Sequence, residues 1–317
     1  MTTELAVEAV ELTKRFGPVK ALIDVSLRVP AGSVLAVLGR NGAGKTTALR
    51  ILTTLLRPDS GTARVCGHDV TRDPTRVRSL IGVTGQDVAL DPALSGRQNL
   101  RFVARLHHLG RTSSRRRADE LIDRLNLTDA ADRAVATYSG GMRRRVDVAA
   151  GLIGGPRVLF LDEPTTGLDP VGRHEVWDLI TNLVEDGTTV VLTTQYLEEA
   201  DQHADQIAII NAGTLVAAGT PNELKAKLPA SPLEIELEDP SQVALAKQIL
   251  ARYSKEAPEQ ENGTGHLTAT VTGGVRTVVA VAADFDAVGI KLVVLALRRP
   301  SLDDAFLAIT NPLSSSR

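Results

Sequence analysis

Three groups of residues in this chain could act on a phosphorylated substrate. The first is Gly39-Arg40-Asn41-Gly42-Ala43-Gly44-Lys45-Thr46, which has the spacing of a phosphate-binding loop. The apolar run Ser33 to Leu38 ahead of it reads as a buried strand, and Thr47 to Leu52 continues at helical spacing. Glycines let backbone N–H groups curl around an anion, and the following helix adds its positive end. Lys45 is then placed for the β- and γ-phosphates and the Thr46 hydroxyl for Mg²⁺. The second group is Asp162-Glu163, at the end of the apolar strand Arg157 to Leu161. Such a strand end is where an α/β sheet presents its ligands. Neighbours on a strand point oppositely, so Asp162 is expected to hold hydrated Mg²⁺ while Glu163 faces a water as general base. The third is Ser139-Gly140-Gly141, with Ser139 as N-cap of a helix running to about Ile153. No Glu or Gln stands three residues after Ser139, so a reciprocal capping box cannot close; the glycines leave the backbone N–H groups bare, which reads either as a second anion site or as an ordinary glycine-rich helix start.

The elements that must position these residues are legible in outline. Leu5 to Leu12 and Asp24 to Pro30 alternate as half-buried strands do, around a turn at Lys14-Arg15-Phe16-Gly17-Pro18. Phe16 could plug a strand end or stack on a base, stacking being worth about 1–3 kcal/mol. The helix opened by Lys45 is expected to run to Arg57-Pro58, where proline breaks it. Thr62 to Gly67 and Leu80 to Thr84 read as further strands. From Asp87 to about Tyr138 helical periodicity replaces strands, as in a helical insertion. Arg115-Arg116-Arg117 and His107-His108 read as solvated surface there, and Cys66 as a small core residue.

Bulk composition narrows the function classes. With 317 residues the chain can bury two cores, and a net charge of −2 offers no field for nucleic acid. Aromatic residues are only 3%, so aliphatic side chains must fill those cores. One cysteine excludes an internal disulfide framework. Neither a signal-peptide pattern nor an apolar run long enough to span a bilayer is present, so a cytoplasmic location is expected, with any membrane role through a partner.

Taken together with Gln86, Leu161-Asp162-Glu163-Pro164-Thr165, Gly167-Leu168-Asp169-Pro170 and Thr193-Thr194-Gln195, these motifs occur in an order that resembles the ATP-binding cassette (ABC) transporter ATPases over roughly residues 4–225. The resemblance implies an α/β P-loop NTPase cassette with a RecA-like core sheet, an N-terminal antiparallel β part and a helical insertion at about 87–140. It implies ATP and Mg²⁺ as ligands. ATP would lie on Gly39, Asn41, Gly42, Ala43, Gly44, Lys45, Thr46 and Thr47, with Phe16 on the adenine, and Mg²⁺ on Thr46, Gln86 and Asp162. Glu163, Gln195 and Gln86 would serve catalysis. It further implies a head-to-tail homodimer in which Ser139, Gly140, Gly141 and Asp169 reach the partner's nucleotide, and a separate integral-membrane permease docked on the helical insertion. That puts the chain peripherally on the cytoplasmic face of the cell membrane. Two departures stand out. Met142 and Tyr138 replace the usual glutamine and leucine of the signature. Gln195 replaces the usual histidine; its amide can still donate to phosphate but carries no proton charge, so a retained, slow activity is expected and Gln195→His should leave turnover equal or higher.

The cassette pattern is expected to end near residue 228, with a linker at 229–232 and a small α/β domain at 233–317 for dimerisation or regulation. Its strands read as Leu233 to Glu238, His266 to Val271 and Lys291 to Leu297. Its ending, Pro300-Ser301-Leu302-Asp303-Asp304-Ala305-Phe306-Leu307, resembles daunorubicin-resistance-type export ATPases, as do Tyr138 to Arg145 and Gln195. That narrower likeness implies export of a drug-like or lipid compound. The rivals are a non-transport cassette ATPase and a slow nucleotide switch.

Overall fold

The computed structural model describes residues 4–85, 90–226, 231–254, 257–260, 264–298 and 301–310. In chain order the first elements are β1 (Leu5–Phe16), β2 (Val19–Pro30), β3 (Val34–Leu38), α1 (Lys45–Leu52), β4 (Ser60–Val65), β5 (His68–Asp69), α2 (Pro74–Arg78) and β6 (Ile81–Thr84). Next come α3 (Gly96–Leu106), α4 (Arg111–Arg124), α5 (Gly140–Leu152), β7 (Val158–Asp162), α6 (Pro170–Glu185), β8 (Thr189–Thr194), α7 (Leu197–His203), β9 (Gln206–Asn211) and β10 (Thr214–Gly219). The rest are α8 (Pro221–Ala226), β11 (Ser231–Leu237), α9 (Val243–Leu250), β12 (Glu259–Gln260), β13 (His266–Val271), α10 (Val275–Ala287), β14 (Leu292–Leu297) and α11 (Leu302–Thr310). Contacts divide the chain into two compact units, Met1–Pro221 and Asn222–Arg317.

Two sheets build the first unit. An antiparallel sheet in the order β2-β1-β4-β5 packs its apolar face on α1 and on one side of the larger sheet, sharing a core of Leu12, Leu22, Val25, Ile51, Leu52 and Phe160. The larger sheet runs β10-β9-β3-β8-β7-β6 and is parallel except for β10. Its β3, β7 and β8 are buried at every residue, as the continuous Val/Leu runs require of strands covered on both faces. Register pairs Leu38 with Thr194 and Asp162 with Thr193. The C-terminal ends of β3, β8 and β7 therefore lie side by side. α3 and α4, which lie within the stretch expected as a helical insertion, pack on one another and on α5, which follows it.

Several expectations are corrected. Lys14 to Phe16 belong to β1, which turns only at Gly17-Pro18, with Phe16 paired to Val19. α1 ends at Leu52, well before Pro58, because the Thr53 hydroxyl donates back to the Leu49 carbonyl (2.8 Å) and Thr54 turns left-handed at φ +65°. Cys66, in the turn after β4, packs against the core as expected but is only half-buried, and burial pushes its thiol pKa up. Arg117 is no free solvated charge: its guanidinium donates to the Leu152 and Ile153 carbonyls, satisfying the C-terminal end of α5.

In the second unit β12-β13-β11-β14 form an antiparallel sheet. Leu233, Ile235, Leu267 and Ala269 meet Ala246, Val281 and Phe285 of α9 and α10 in its core. The first strand begins at Ser231, so Ser231 and Pro232 belong to the sheet rather than to the expected linker. Arg298 and Ser301 fix the start of α11 through Asp304, with the Ser301 N–H donating to it at 2.7 Å.

Candidate functional site

The loop after β3 is braced from outside. A Cβ at Gly39 would collide with the Ile210 carbonyl, and one at Gly44 (φ +112°) with the Ala21 carbonyl. These two glycines serve close backbone approach as well as turn geometry. Gly213, in the turn between β9 and β10, donates its N–H to Ala43 O (2.9 Å) and accepts from Ile23 N–H (2.7 Å). Gly44 is the N-cap of α1 and supplies no side chain, so the first N–H groups of the helix stay bare.

Around that end lies a cavity of about 690 Å³, walled by Arg40 through Thr47 on one side and by Glu163, Pro164, Thr166 and Leu168 on another. Gly140 and Arg143 of the same chain also reach it. The Lys45 ammonium is buried, 2.8 Å from the Gly39 carbonyl and 3.5 Å from Glu163 Oε1. Thr46 Oγ1 donates to Asp162 Oδ1 at 3.2 Å. Thr193, fully buried at the end of β8, donates to the same Oδ1 at 2.6 Å and accepts the Glu163 N–H at 2.9 Å. One hydroxyl thus holds both acids.

The two acids diverge for a different reason from strand alternation. β7 ends at Asp162, and Glu163 is left-handed at φ +49°, a conformation costing a β-carbon residue of order 1–3 kcal/mol. That twist turns Glu163 into the cavity, where Thr166 Oγ1 donates to Oε2 at 3.3 Å. Among the described residues no cluster of three or more His, Cys, Asp or Glu side chains is arranged for a metal. The fit for an ion therefore rests on Thr46 Oγ1 and Asp162 Oδ1, hard oxygen donors that suit Mg²⁺ when phosphate oxygens and water complete its shell.

Other expected residues stand at varying remove. Ser139 is the N-cap of α5 and accepts the Met142 N–H at 3.2 Å. Asp169 is the exposed N-cap of α6, its carboxylate accepting the Gly172 N–H at 2.8 Å. Phe16 is 49% exposed with the Lys14 ammonium 5.8 Å from its ring centroid; its partner Val19, not Phe16 itself, is among the cavity walls. Gln195 is exposed just past β8. Gln86 lies outside the described residues.

Sequence reasoning missed Thr193 and Arg144 as parts of the site. Thr193 was visible only as a motif letter, whereas the register beside Asp162 gives it its task. Arg144 is buried; it donates to the Gly85 carbonyl (2.9 Å), the Asp162 carbonyl (3.2 Å) and the Asp147 carboxylate (3.0 Å). Burial lowers its pKa, against the pull of Asp147 and Asp162.

Comparison with known proteins gives this arrangement its context. The profile of the ABC transporter family matches residues 22–166. Daunorubicin resistance ATP-binding protein DrrA3 of Streptomyces coeruleorubidus is 50% identical over 308 residues, 97% of this chain and 96% of that protein. Nod factor export ATP-binding protein I of Ralstonia nicotianae is 41% identical over 223 residues, 70% of this chain and 69% of that protein. Among solved structures, CbiO1 of Clostridium perfringens, part of an ABC transporter complex, covers 71% of this chain and 92% of its own with a TM-score of 0.66 at 28% identity. A dimeric ATP-binding cassette bound to ADP and Pi covers 68% of this chain and 98% of its own, with a TM-score of 0.61 at 26% identity.

Proposed function

Because this chain belongs to the ABC transporter ATP-binding proteins, and within them to the daunorubicin-resistance type, we propose that two copies clasp MgATP between them and drive export through a separate membrane-spanning permease. It is an ATPase of exporter-type transporters. What supports the chemistry is the hydrogen-bonded chain Thr46–Asp162–Thr193–Glu163, whose two ends line one cavity with Lys45. Lys45 and the bare N–H groups of α1 hold the triphosphate. Thr46 and Asp162, with Gln86 as a further ligand, would hold Mg²⁺, which would supply charge neutralisation to the triphosphate. Glu163 accepts a proton from water as its oxygen attacks the γ-phosphorus, and the bond to the bridging oxygen breaks to leave ADP and phosphate. Gln195 supports the γ-phosphate as an amide donor and Phe16 carries the adenine.

The free end of α5 at Ser139-Gly140-Gly141 completes the cage in the partner's site, with Asp169 at the same seam. Hydrolysis then adds charge between the copies and they separate, a difference in affinity between closed and open dimers that can move a partner. No helix among the described residues is long and apolar enough to cross a membrane, which suits a subunit held peripherally on the cytoplasmic face by its permease. The transported compound is drug-like or lipid, on the likeness to the resistance proteins. The second unit is assigned to dimer contact or regulation.

Glu163→Gln tests this reading. The variant should bind ATP normally, lose about 10²–10⁴-fold in turnover, and elute as a dimer with MgATP. Normal turnover would refute the base; a monomer at saturating MgATP would refute the shared site.

A further inference from the structure

The three successive arginines Arg143-Arg144-Arg145 at the start of α5 have different surroundings, and only the middle one is buried. Arg144 joins three elements through one planar group. Its Nη1 meets Asp147 one turn along α5 and the Gly85 carbonyl just past β6, while its Nη2 meets the Asp162 carbonyl at the end of β7. Asp147 is buried as well, so the charge pair is largely shielded from water, although Arg144 also borders the cavity. Its Nε finds no acceptor, which leaves the two terminal nitrogens to carry the whole attachment.

From this geometry we infer that Arg144 is a positioning residue that couples the two ATP sites of the dimer. The inference rests on the shared-site reading above. Under that reading α5 presents Ser139 to the partner's nucleotide, while Asp162 and Glu163 serve the chain's own. Arg144 is a bonded link, within one chain, between these two assignments. A shift of the acid strand as its own site engages nucleotide pulls on the Asp162 carbonyl and through the guanidinium reseats α5. A lysine keeps the charge and its partner Asp147, but a point charge lacks the rigid fork that holds two carbonyls from two strands at fixed angles.

The test compares wild type with Arg144→Lys, measuring thermal midpoint, binding of a fluorescent ATP analogue to the monomer, turnover, and the Hill coefficient for ATP. In wild type the Hill coefficient should exceed one. In Arg144→Lys it should fall to one and turnover should drop about tenfold or more, beyond what any change in thermal midpoint or monomer binding accounts for. Arg144→Met combined with Asp147→Ala removes the buried charge pair together and should give the same uncoupled kinetics. Non-cooperative wild-type kinetics, or unchanged turnover and Hill coefficient in a folded variant, would overturn the inference. Losses that track a lowered thermal midpoint in both variants would also overturn it, as the mark of a merely structural role. Dimerisation of Glu163→Gln with MgATP is read separately. If that protein dimerises, a negative result here falls on Arg144 alone; if it stays monomeric, the shared site itself has failed.

Discussion

A single hydroxyl decides where both acids point. The Thr193 hydroxyl donates a hydrogen bond to Asp162 and accepts one from the Glu163 N–H, so it sets the metal ligand and the base relative to one another. Thr193→Val keeps the shape and removes both bonds. The change leaves the Glu163 N–H unpaired and Asp162 Oδ1 with only the Thr46 hydroxyl, which should lower stability by about 1–3 kcal/mol. Turnover should fall further than the folded fraction does, by about 10²-fold, because displaced catalytic groups are costly. Denaturant melts paired with turnover per folded molecule separate the two effects; wild-type turnover would show that the acids hold their places without it. Neither neighbour of Thr193 in sequence hints at this. In Gly39 and Gly44, by contrast, the letter itself was informative, though steric contact with Ile210 and Ala21 adds a second reason.

At the scale of elements, the helices carry most of what periodicity leaves open. Arg143-Arg144-Arg145 reads as one basic run, yet 100° per residue sends one guanidinium to Tyr138 O, one into the core and one to Leu125 O. The same holds for α6 and α7, where Trp177 stacks on His203 with ring centroids 4.6 Å apart. Burial holds the His203 pKa below its ordinary 6.5, with nearby Glu199 pulling the other way. A depressed imidazole favours the folded state above the unfolded pKa, and this contribution is lost as pH falls from about 6.5 through the lowered folded value. Trp177 is the only tryptophan, so its fluorescence reports the pair directly. Imidazolium quenching should set in on acidification with a midpoint below 6.5, and His203→Gln should abolish the titration. A midpoint at or above 6.5 would contradict a partly buried histidine whose pKa is held down.

For the whole molecule the question is which chain's α5 serves which site, since Gly140 and Arg143 also reach the cavity of their own chain. Mixing answers it. Lys45→Ala disables one chain's own phosphate loop, and Ser139→Asp keeps an N-cap while placing a carboxylate where the partner's phosphate would bind. Each variant alone should be nearly inactive, and mixing them should restore hydrolysis because one site per mixed dimer is intact. No recovery on mixing would assign Ser139 to its own chain. The order of the motifs, the buried strands and the bare loop at Lys45 could be read from the chain directly, because they depend on local spacing, local turns and the period of apolar residues. Strand order, the register that sets Thr193 against Asp162, the left-handed twist at Glu163 and the burial of Arg144 could not. Those arise where segments far apart in the chain meet, and only the folded packing fixes which backbone groups need a partner and which side chain is near enough to provide it.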